Sequence, residues 1–326
     1  MSFVVFRVAV WVAYAFCYPR PVKQPSIAIV GPGRLGSALA KHLYSTGYNV
    51  SEIVCRDRQS LSRARALART VRAQATTPQT AILDADITWF CVPDSQIESV
   101  SIALSRHKWK GKIGLHSSGV LTSDVLVPLR KAGASVASVH PLMTFIRGSV
   151  PNLSDVPFAI EGDSDAVRTA TQVVRRLGAR PVAIRKQDKP AYYLFATMIC
   201  PLLISLLAAS EQAAKLAAIS PGEARRRMLP ILRQTTSNYQ KIGAATAFTG
   251  PFVRGDVDTL RMHLKALAHS SGLRSVYTAL AEAALQNLPH HNAKQMRAAL
   301  RKCGLWSVAG GQYRTSTSRL SLATSH

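Results

Sequence analysis

Residues 26–58 of the sequence read SIAIVGPGRLGSALAKHLYSTGYNVSEIVCRDR. The stretch opens with an apolar run, passes through a glycine-rich turn and continues with apolar residues at helical spacing. Gly47 stands where that helix would end, and a second apolar run, Val50 to Cys55, follows it. The order strand, G-x-G-x-x-G turn, helix, strand is typical of a unit that binds a dinucleotide.

Each glycine of the turn has its own mechanical role in this interpretation. Gly31 permits the tight turn out of the strand, Gly33 lets the backbone approach a pyrophosphate, and Gly36 lets the helix pack closely on the strand. The pyrophosphate would rest on the N–H groups at the start of the helix, near Arg34 and Leu35. The alternative is a glycine-rich turn in an α/β protein that binds no nucleotide.

The residues after the second strand bear on which dinucleotide binds. Two arginines and a serine, Arg56, Arg58 and Ser60, surround a single carboxylate there. Cations suit the 2′-phosphate of NADP, so we predict NADP as the cofactor rather than NAD. In the alternative, Asp57 accepts from the ribose hydroxyls and Arg58 is a solvated residue. Glu52 has a suitable spacing for a ribose ligand but falls inside the strand.

Composition limits the classes of function. The 326 residues carry 41 basic and 17 acidic side chains, a net charge of +24, and 47% of the chain is hydrophobic. Such a surface attracts anions, including phosphorylated cofactors and carboxylate substrates. Nucleic-acid binding is disfavoured because no recognition motif accompanies the charge. The five cysteines are far apart without a C-x-x-C pair, which favours a reduced, cytoplasmic protein with no disulfide frame and no metal site.

The chain divides into four parts by pattern. Residues 1–25 form an apolar extension and a proline-rich linker, and the apolar run is too short to span a bilayer comfortably. Residues 26–185 alternate strands and helices, residues 186–304 are helical, and residues 305–326 have the composition of a disordered tail. After a helix at 61–75, apolar runs predict strands at 86–92, 112–115, 136–139, 157–160 and 181–184. This alternation predicts a doubly wound, Rossmann-type parallel sheet followed by an all-α second domain.

Polar residues follow several of these strands. The clusters are Pro93-Asp94 after Val92, His116 to Gly119 with Ser118 between them, and His140. Ligands of such sheets bind beyond the carboxyl ends of the strands, so we expect Val92, Pro93, Asp94 and Ser118 near the cofactor. A histidine at a strand end can also simply hold a loop. The occurrence of two, His116 and His140, at neighbouring strand ends favours a functional site.

A long uncharged run, Ala191 to Ala209, opens the helical part. A transmembrane helix is one interpretation of its length. Pro201 in its middle and the lack of a second span favour a helix buried in a domain core or in a dimer interface. We therefore expect no integral membrane span.

The pattern as a whole resembles a family of bacterial proteins that join a Rossmann-like NAD(P)-binding domain to a helical domain of unknown function, number 2520, commonly described as NADP oxidoreductases. The motifs that carry the resemblance are Gly31 to Gly36, Val92-Pro93-Asp94, His116 with Ser118-Gly119, His140-Pro141-Leu142, Phe158 to Asp163, and Thr249-Gly250-Pro251 with Arg254-Gly255-Asp256, Thr259 and His263. Relatives include the pyrroline-carboxylate reductase and hydroxyacid dehydrogenase groups. The resemblance implies a homodimer formed through the helical domain and hydride transfer to a small C=O or C=N substrate.

This chain departs from the family at the start of the long helix. Lys189 and Tyr192 fit, but Tyr193 stands where the family has histidine, and Cys200-Pro201 stands where it has Ser-Asn. The remaining candidates for proton transfer or charge stabilisation are Lys189, His116, His140 and Tyr192, and Tyr193 is a further donor. An asparagine could orient a substrate, whereas a proline cannot.

Two interpretations of function follow. In the first, the protein is an NADP-dependent oxidoreductase of a small, anionic substrate that lies in an interdomain cleft near His140, Lys189, Tyr192 and Arg254. Arg254 and Asp256 either contact that substrate or form a structural ion pair. In the second, the missing histidine and asparagine leave a nucleotide-binding sensor or scaffold protein with little or no catalysis.

Overall fold

The computed structural model describes residues 24–304, with side chains described as far as Arg301. The predicted tail at 305–326 and all but the last two residues of the predicted N-terminal extension lie outside this range. The chain divides into two compact units, the first ending at Met198 and the second beginning at Ile199. The boundary predicted from the sequence, between residues 185 and 186, lies earlier in the chain.

The first unit is built on an eight-stranded sheet, counted over the described residues. Its strands, in chain order, are β1 (Ile27–Val30), β2 (Val50–Val54), β3 (Gln74–Thr76), β4 (Ile87–Phe90), β5 (Ile113–His116), β6 (Ser135–Pro141), β7 (Pro157–Gly162) and β8 (Arg180–Ala183). They lie side by side in the order β3-β2-β1-β4-β5-β6-β7-β8.

Helices cover both faces of this sheet. They are α1 (Arg34–Ser45), α2 (Leu61–Thr70), α3 (Asp94–Leu104), α4 (Val127–Lys131) and α5 (Ser164–Arg176). One core cluster joins the sheet to α1, α2 and α5, and a second joins it to α3 and α4. All four residues of β1 and of β4 are buried, as expected for parallel strands covered on both faces. The doubly wound fold is confirmed.

The sheet differs from the predicted parallel arrangement at one pair. β6 and β7 run antiparallel, while β7 and β8 pair parallel. The connection from Pro141 to Pro157 carries no helix. Without a crossover helix, the chain returns alongside β6 in the opposite direction.

The predicted helix at 61–75 is too long. The helix ends at Thr70, Arg72 adopts a left-handed conformation with φ of 54°, and the chain then forms β3. Residues 73–75 are Ala-Gln-Ala, which favour a helix, but pairing with β2 overrides this local preference.

The second unit is helical. Its helices are α7 (Pro201–Lys215), α8 (Pro221–Ala247), α9 (Pro251–Arg254), α10 (Val257–Ala266), α11 (Ser271–Asn287) and α12 (Ala293–Gly304), while α6 (Lys189–Ile199) ends at the boundary between the units. The core of the second unit joins α10, α11 and α12 through Leu260, Leu264, Leu285 and Met296.

The long apolar run is divided between two helices. Cys200 has non-helical angles, φ −115° and ψ −81°, and Pro201 begins α7, where its missing N–H costs no hydrogen bond. Within residues 24–304, one stretch, Lys186–Leu216, is long and apolar enough to cross a membrane by length and composition. Only 11% of its apolar window is buried. The prediction that this run is buried in a domain core is therefore wrong. The alternative, that it is buried in a dimer interface, stays a prediction.

Candidate functional site

The glycine turn has the geometry that the sequence predicts. Gly31 has φ of +95°, which favours glycine, and a Cβ on Gly36 would lie 2.2 Å from the carbonyl oxygen of Gly31. A Cβ on Gly33 would meet nothing within 4 Å. Gly31 and Gly36 therefore serve the turn itself, whereas Gly33 leaves open space for a ligand.

A cavity of about 370 Å³ opens over this turn. Its lining includes six of the residues predicted to contact the cofactor, namely Gly31, Gly33, Arg56, Ser60, Val92 and Pro93. The lining residues that were not predicted to contact the cofactor include Arg63, Pro78, Gln96 and Val100. We refer to this space as the dinucleotide cavity.

The other residues predicted to contact the cofactor do not line this cavity. Leu35 packs against the core, Gly36 is buried, and Arg58 is exposed to solvent. Arg34 lines a neighbouring cavity, Asp94 lies in the first turn of α3, and Ser118 is buried in the turn after β5. For these six positions, contact with the cofactor stays a prediction.

The two carboxylates near β2 are already engaged. Asp57 accepts from the Ser60 N–H and from Arg56 Nε, each at 2.9 Å, and these contacts lower the pKa of Asp57 to about 2. Glu52 is buried and accepts from Thr76 Oγ1 at 2.6 Å and from the Leu83 N–H at 2.9 Å. Glu52 therefore holds the loop after β3 in place, and Asp57 caps a short 3-10 turn at Arg58–Ser60.

His116 is fully buried, and both of its ring nitrogens are engaged. Nδ1 accepts from the Ser118 N–H at 3.1 Å, and Nε2 lies 3.1 Å from the Thr122 carbonyl oxygen, to which it donates. Burial lowers the pKa of His116 to about 3, so the ring is neutral. This arrangement folds the loop after β5 and leaves no ring nitrogen for a substrate.

Lys189, the first residue of α6, is fully buried beneath that loop. Its Nζ donates to Ser138 Oγ at 2.7 Å and to the Ser118 carbonyl oxygen at 3.1 Å. Burial lowers the pKa of Lys189 to about 8, opposed by the negative charges of Glu161 and Asp94. The structure thus brings Lys189 and Ser118 together.

His140 and Tyr192 form the second contact between predicted site residues. The Tyr192 hydroxyl lies 3.1 Å from His140 Nδ1, and the two rings meet edge to face. Burial lowers the pKa of His140 to about 4, aided by the charge of Lys189, and raises the pKa of Tyr192 to about 12. Both groups are therefore uncharged at neutral pH, with the phenol protonated.

Tyr193, which stands in the histidine position of the family, packs on the same histidine. Its ring meets that of His140 edge to face, with centroids 5.9 Å apart. A Cβ on Gly119 would lie 2.2 Å from Tyr193 Cδ2. The absence of a side chain at Gly119 therefore makes the space that the Tyr193 ring occupies.

Arg254 and Asp256 lie in the second unit, where they form an ion pair. Arg254 Nη2 and Asp256 Oδ2 are 2.7 Å apart, and Gly255 between them has φ of +69°. The structural ion pair that the sequence left as an alternative does form. No group of three or more metal-ligating side chains occurs within residues 24–304.

Comparison with known families gives two matches. Residues 20–141 match a model of the Rossmann-like domain, and residues 156–284 match the model described as Domain of unknown function (DUF2520). The chain joins a Rossmann-like domain to a DUF2520 domain. The sequence resemblance is thus confirmed, in the predicted order of domains. A search of the curated proteins finds no match.

Solved structures share the fold of this Rossmann–DUF2520 chain. A candidate NADP oxidoreductase from Bacteroides fragilis has a TM-score of 0.68 at 22% identity, covering 81% of this chain and 98% of its own. A reductive aminase from Aspergillus terreus, in complex with NADPH and ethyl-5-oxohexanoate, has a TM-score of 0.58 at 15% identity, covering 84% and 99%. Pyrroline carboxylate reductase from Plasmodium falciparum, with NADP bound, has a TM-score of 0.53 at 13% identity, covering 86% and 97%. At these identities the likeness establishes the fold.

Proposed function

We propose that this protein is an NADP-dependent oxidoreductase that transfers a hydride to a small C=O or C=N substrate. The observation that carries the proposal is the dinucleotide cavity, which opens over Gly33 and is lined by Arg56, Ser60 and Arg63. Two arginines and a hydroxyl, from the loop after β2 and from α2, suit a 2′-phosphate. The complexes of the reductive aminase with NADPH and of pyrroline carboxylate reductase with NADP support the same cofactor.

The chain must supply a proton to complete such a reaction. Bound NADPH would supply the hydride to the substrate carbon, and the oxygen or nitrogen of the former double bond would take up a proton. Tyr192 is the donor we favour, because its phenol stays protonated and is held by His140. Lys189 would act on this donor through His140, because its charge helps to keep that imidazole neutral.

His116 has a different role in this proposal from the catalytic one that the sequence suggested. With Nδ1 and Nε2 bound to the backbone of Ser118 and Thr122, it fixes the loop whose Ser118 carbonyl holds Lys189. Ser118 would thus act by positioning Lys189. A small anionic substrate suits the positive net charge of the chain.

The test uses the purified full-length chain. NADPH and NADH are titrated separately by the change in nicotinamide fluorescence, and NADPH oxidation is then followed with cyclic imines, imino acids and keto acids. The proposal expects tighter binding of NADPH and oxidation with at least one substrate class. Tight binding of NADPH without oxidation would favour the sensor alternative. The presence of Tyr193 where the family has a histidine supports that alternative.

We further propose that the protein is a cytoplasmic homodimer. Exposed apolar side chains cluster on α7 and α8, including Leu202, Ile204, Leu229 and Ile231. Monomeric soluble proteins rarely expose large apolar patches. We infer that the helical domain of a second copy of the chain covers these side chains. Light scattering after size exclusion should give twice the mass of the chain, and Ile204→Lys should lower it to that of one chain.

A further inference from the structure

A second cavity, of about 350 Å³, adjoins the dinucleotide cavity and shares Pro32, Gly33 and Arg63 with it. We call it the cation cavity, because four cationic side chains line it, Arg34, Lys41, Arg63 and Arg147. Among residues 24–304, no aspartate or glutamate is part of its lining. Its volume falls within the range of small-molecule sites.

The four cations come from three different elements. Arg34, Ser37 and Lys41 lie three and four residues apart and so share one face of α1. Arg63 comes from α2, and Arg147 comes from the connection between β6 and β7. Residues distant in sequence are thus directed to one space by the fold.

The connection that carries Arg147 is fixed to the first unit. His42 Nε2 lies 2.8 Å from the Pro151 carbonyl oxygen, and Phe145 packs against the core. Gly148, which follows Arg147, turns the chain with φ of +80°. The wall of the cation cavity is therefore built by specific contacts on both sides of Arg147.

These cations also lack acidic partners among the residues that the structure describes. Some exposed arginines elsewhere in the same range do pair with carboxylates, as Arg168 does with Asp165 and Arg185 with Asp188. None of the four in the cation cavity forms an ion pair with another residue of the described part of the chain. Four like charges around one space repel one another, and a bound anion removes that repulsion.

We propose that the cation cavity is a second anion site, which binds the phosphate group of a small molecule other than the dinucleotide. Arg34, Lys41 and Arg147 line the cation cavity and not the dinucleotide cavity. Lys41 and Arg147 are decisive, because Arg34 also stands next to the predicted position of the dinucleotide pyrophosphate. Half of the positive charge therefore lies outside the wall that the dinucleotide would contact. Guanidinium groups bind phosphate oxygens in pairs, and the lysine adds a point charge. The inference does not depend on hydride transfer.

The experiment measures phosphate binding while the dinucleotide cavity is filled. Radiolabelled pyrophosphate is dialysed to equilibrium against the full chain saturated with NADPH, in parallel with labelled glycerol 3-phosphate. We expect about one equivalent bound per chain, weakened by added salt. Lys41→Gln and Arg147→Gln should each lower the affinity for the probe about tenfold or more and change the affinity for NADPH by less than about twofold. Tighter binding of pyrophosphate would indicate an inorganic ligand, and tighter binding of glycerol 3-phosphate would indicate a phosphate ester.

The matched control is Arg69→Gln, which removes an exposed cation of α2 that lines neither cavity. Its affinity for the probe should equal that of the wild type. Three outcomes would each overturn the inference. They are displacement of pyrophosphate by NADPH, absence of pyrophosphate binding to the NADPH-saturated protein, and equal affinity of Lys41→Gln and the wild type for pyrophosphate. If the chain binds no NADPH, the proposed function fails, yet the two variants must still weaken pyrophosphate binding for this inference to stand.

Discussion

The Tyr192 hydroxyl and His140 Nδ1 lie 3.1 Å apart, which links the first turn of α6 to the end of β6. Neither partner carries a charge at neutral pH, because burial lowers the pKa of His140 and raises that of Tyr192. In the proposed function, this protonated phenol beside a neutral imidazole is the proton donor. The buried charge of Lys189 lies close enough to lower the pKa of the same histidine.

Tyr192→Phe tests the proton donor. The substitution keeps the ring and removes the hydroxyl, so we expect kcat to fall by about a hundredfold or more while the affinity for NADPH is unchanged. Tyr193→Phe is the matched control, because Tyr193 contacts His140 through its ring. Steady-state rates of NADPH oxidation with a reducible substrate measure both. Equal kcat values in the two variants would remove Tyr192 from the role of proton donor.

Lys189 gives a prediction for stability against pH. Its pKa falls from 10.5 to about 8 on folding. Below pH 8 both states bind the proton, whereas between pH 8 and 10.5 the unfolded chain still binds it and the folded chain does not. The Lys189 contribution to the free energy of unfolding therefore rises with pH across that window, by on the order of 3 kcal/mol in total.

Urea titrations at several pH values measure this contribution as a difference between the wild type and Lys189→Met. We expect this difference in the free energy of unfolding to rise with pH across the window, and Lys131→Met, which removes an exposed lysine, is measured in parallel as the control. The difference is needed because Tyr192 and other groups titrate at neighbouring pH. Parallel curves for wild type and Lys189→Met would contradict the shifted pKa.

Two glycines of the turn should respond differently to alanine. In Gly36→Ala the new methyl group would lie 2.2 Å from a backbone oxygen, so we expect the free energy of unfolding to fall by about 1–3 kcal/mol or more. In Gly33→Ala the methyl group meets open space, so stability should be near that of the wild type while NADPH binding weakens. Thermal unfolding and NADPH titration separate the two effects. Unchanged NADPH affinity in Gly33→Ala would argue against the pyrophosphate position.

Arginines near β2 should discriminate between the two cofactors. Arg56→Ala and Arg63→Ala remove charges from the dinucleotide cavity, so we expect each to weaken NADPH binding about tenfold or more and NADH binding much less. Arg58→Ala is the control, because Arg58 is exposed and does not line the cavity. Fluorescence titration with both cofactors measures the ratio. An equal loss for NADPH and NADH would exclude contact with the 2′-phosphate.

Local pattern was enough to predict most of the first unit. The glycine turn, its flanking strands and the later buried strands follow from apolar runs and from residues with special backbone angles. β3 was missed because its three residues, Gln74–Thr76, carry too short an alternation to distinguish them from the end of a helix. Its pairing with β2 is a contact between distant residues, which local pattern does not contain.

The site could be predicted only as a set of candidates. His116 is the last residue of β5 and His140 the last but one of β6, and only the hydrogen bonds separate their roles, since the backbone engages both nitrogens of His116. Arg63 is one of several arginines on a basic helix, and its neighbours in sequence give no reason to single it out. The role of each of these residues depends on where its side chain points and how deeply it is buried. Both properties are set by the whole fold.

The contact between Gly119 and Tyr193 has a consequence for related sequences. Any side chain at position 119 would enter the space of the Tyr193 ring, and its Cβ would also come within 3.0 Å of His140 Nε2. The two positions should therefore vary together among homologues, with a larger residue at 119 only where 193 is smaller. The loop after β5 and the start of α6 would then evolve as one unit, although more than seventy positions separate them.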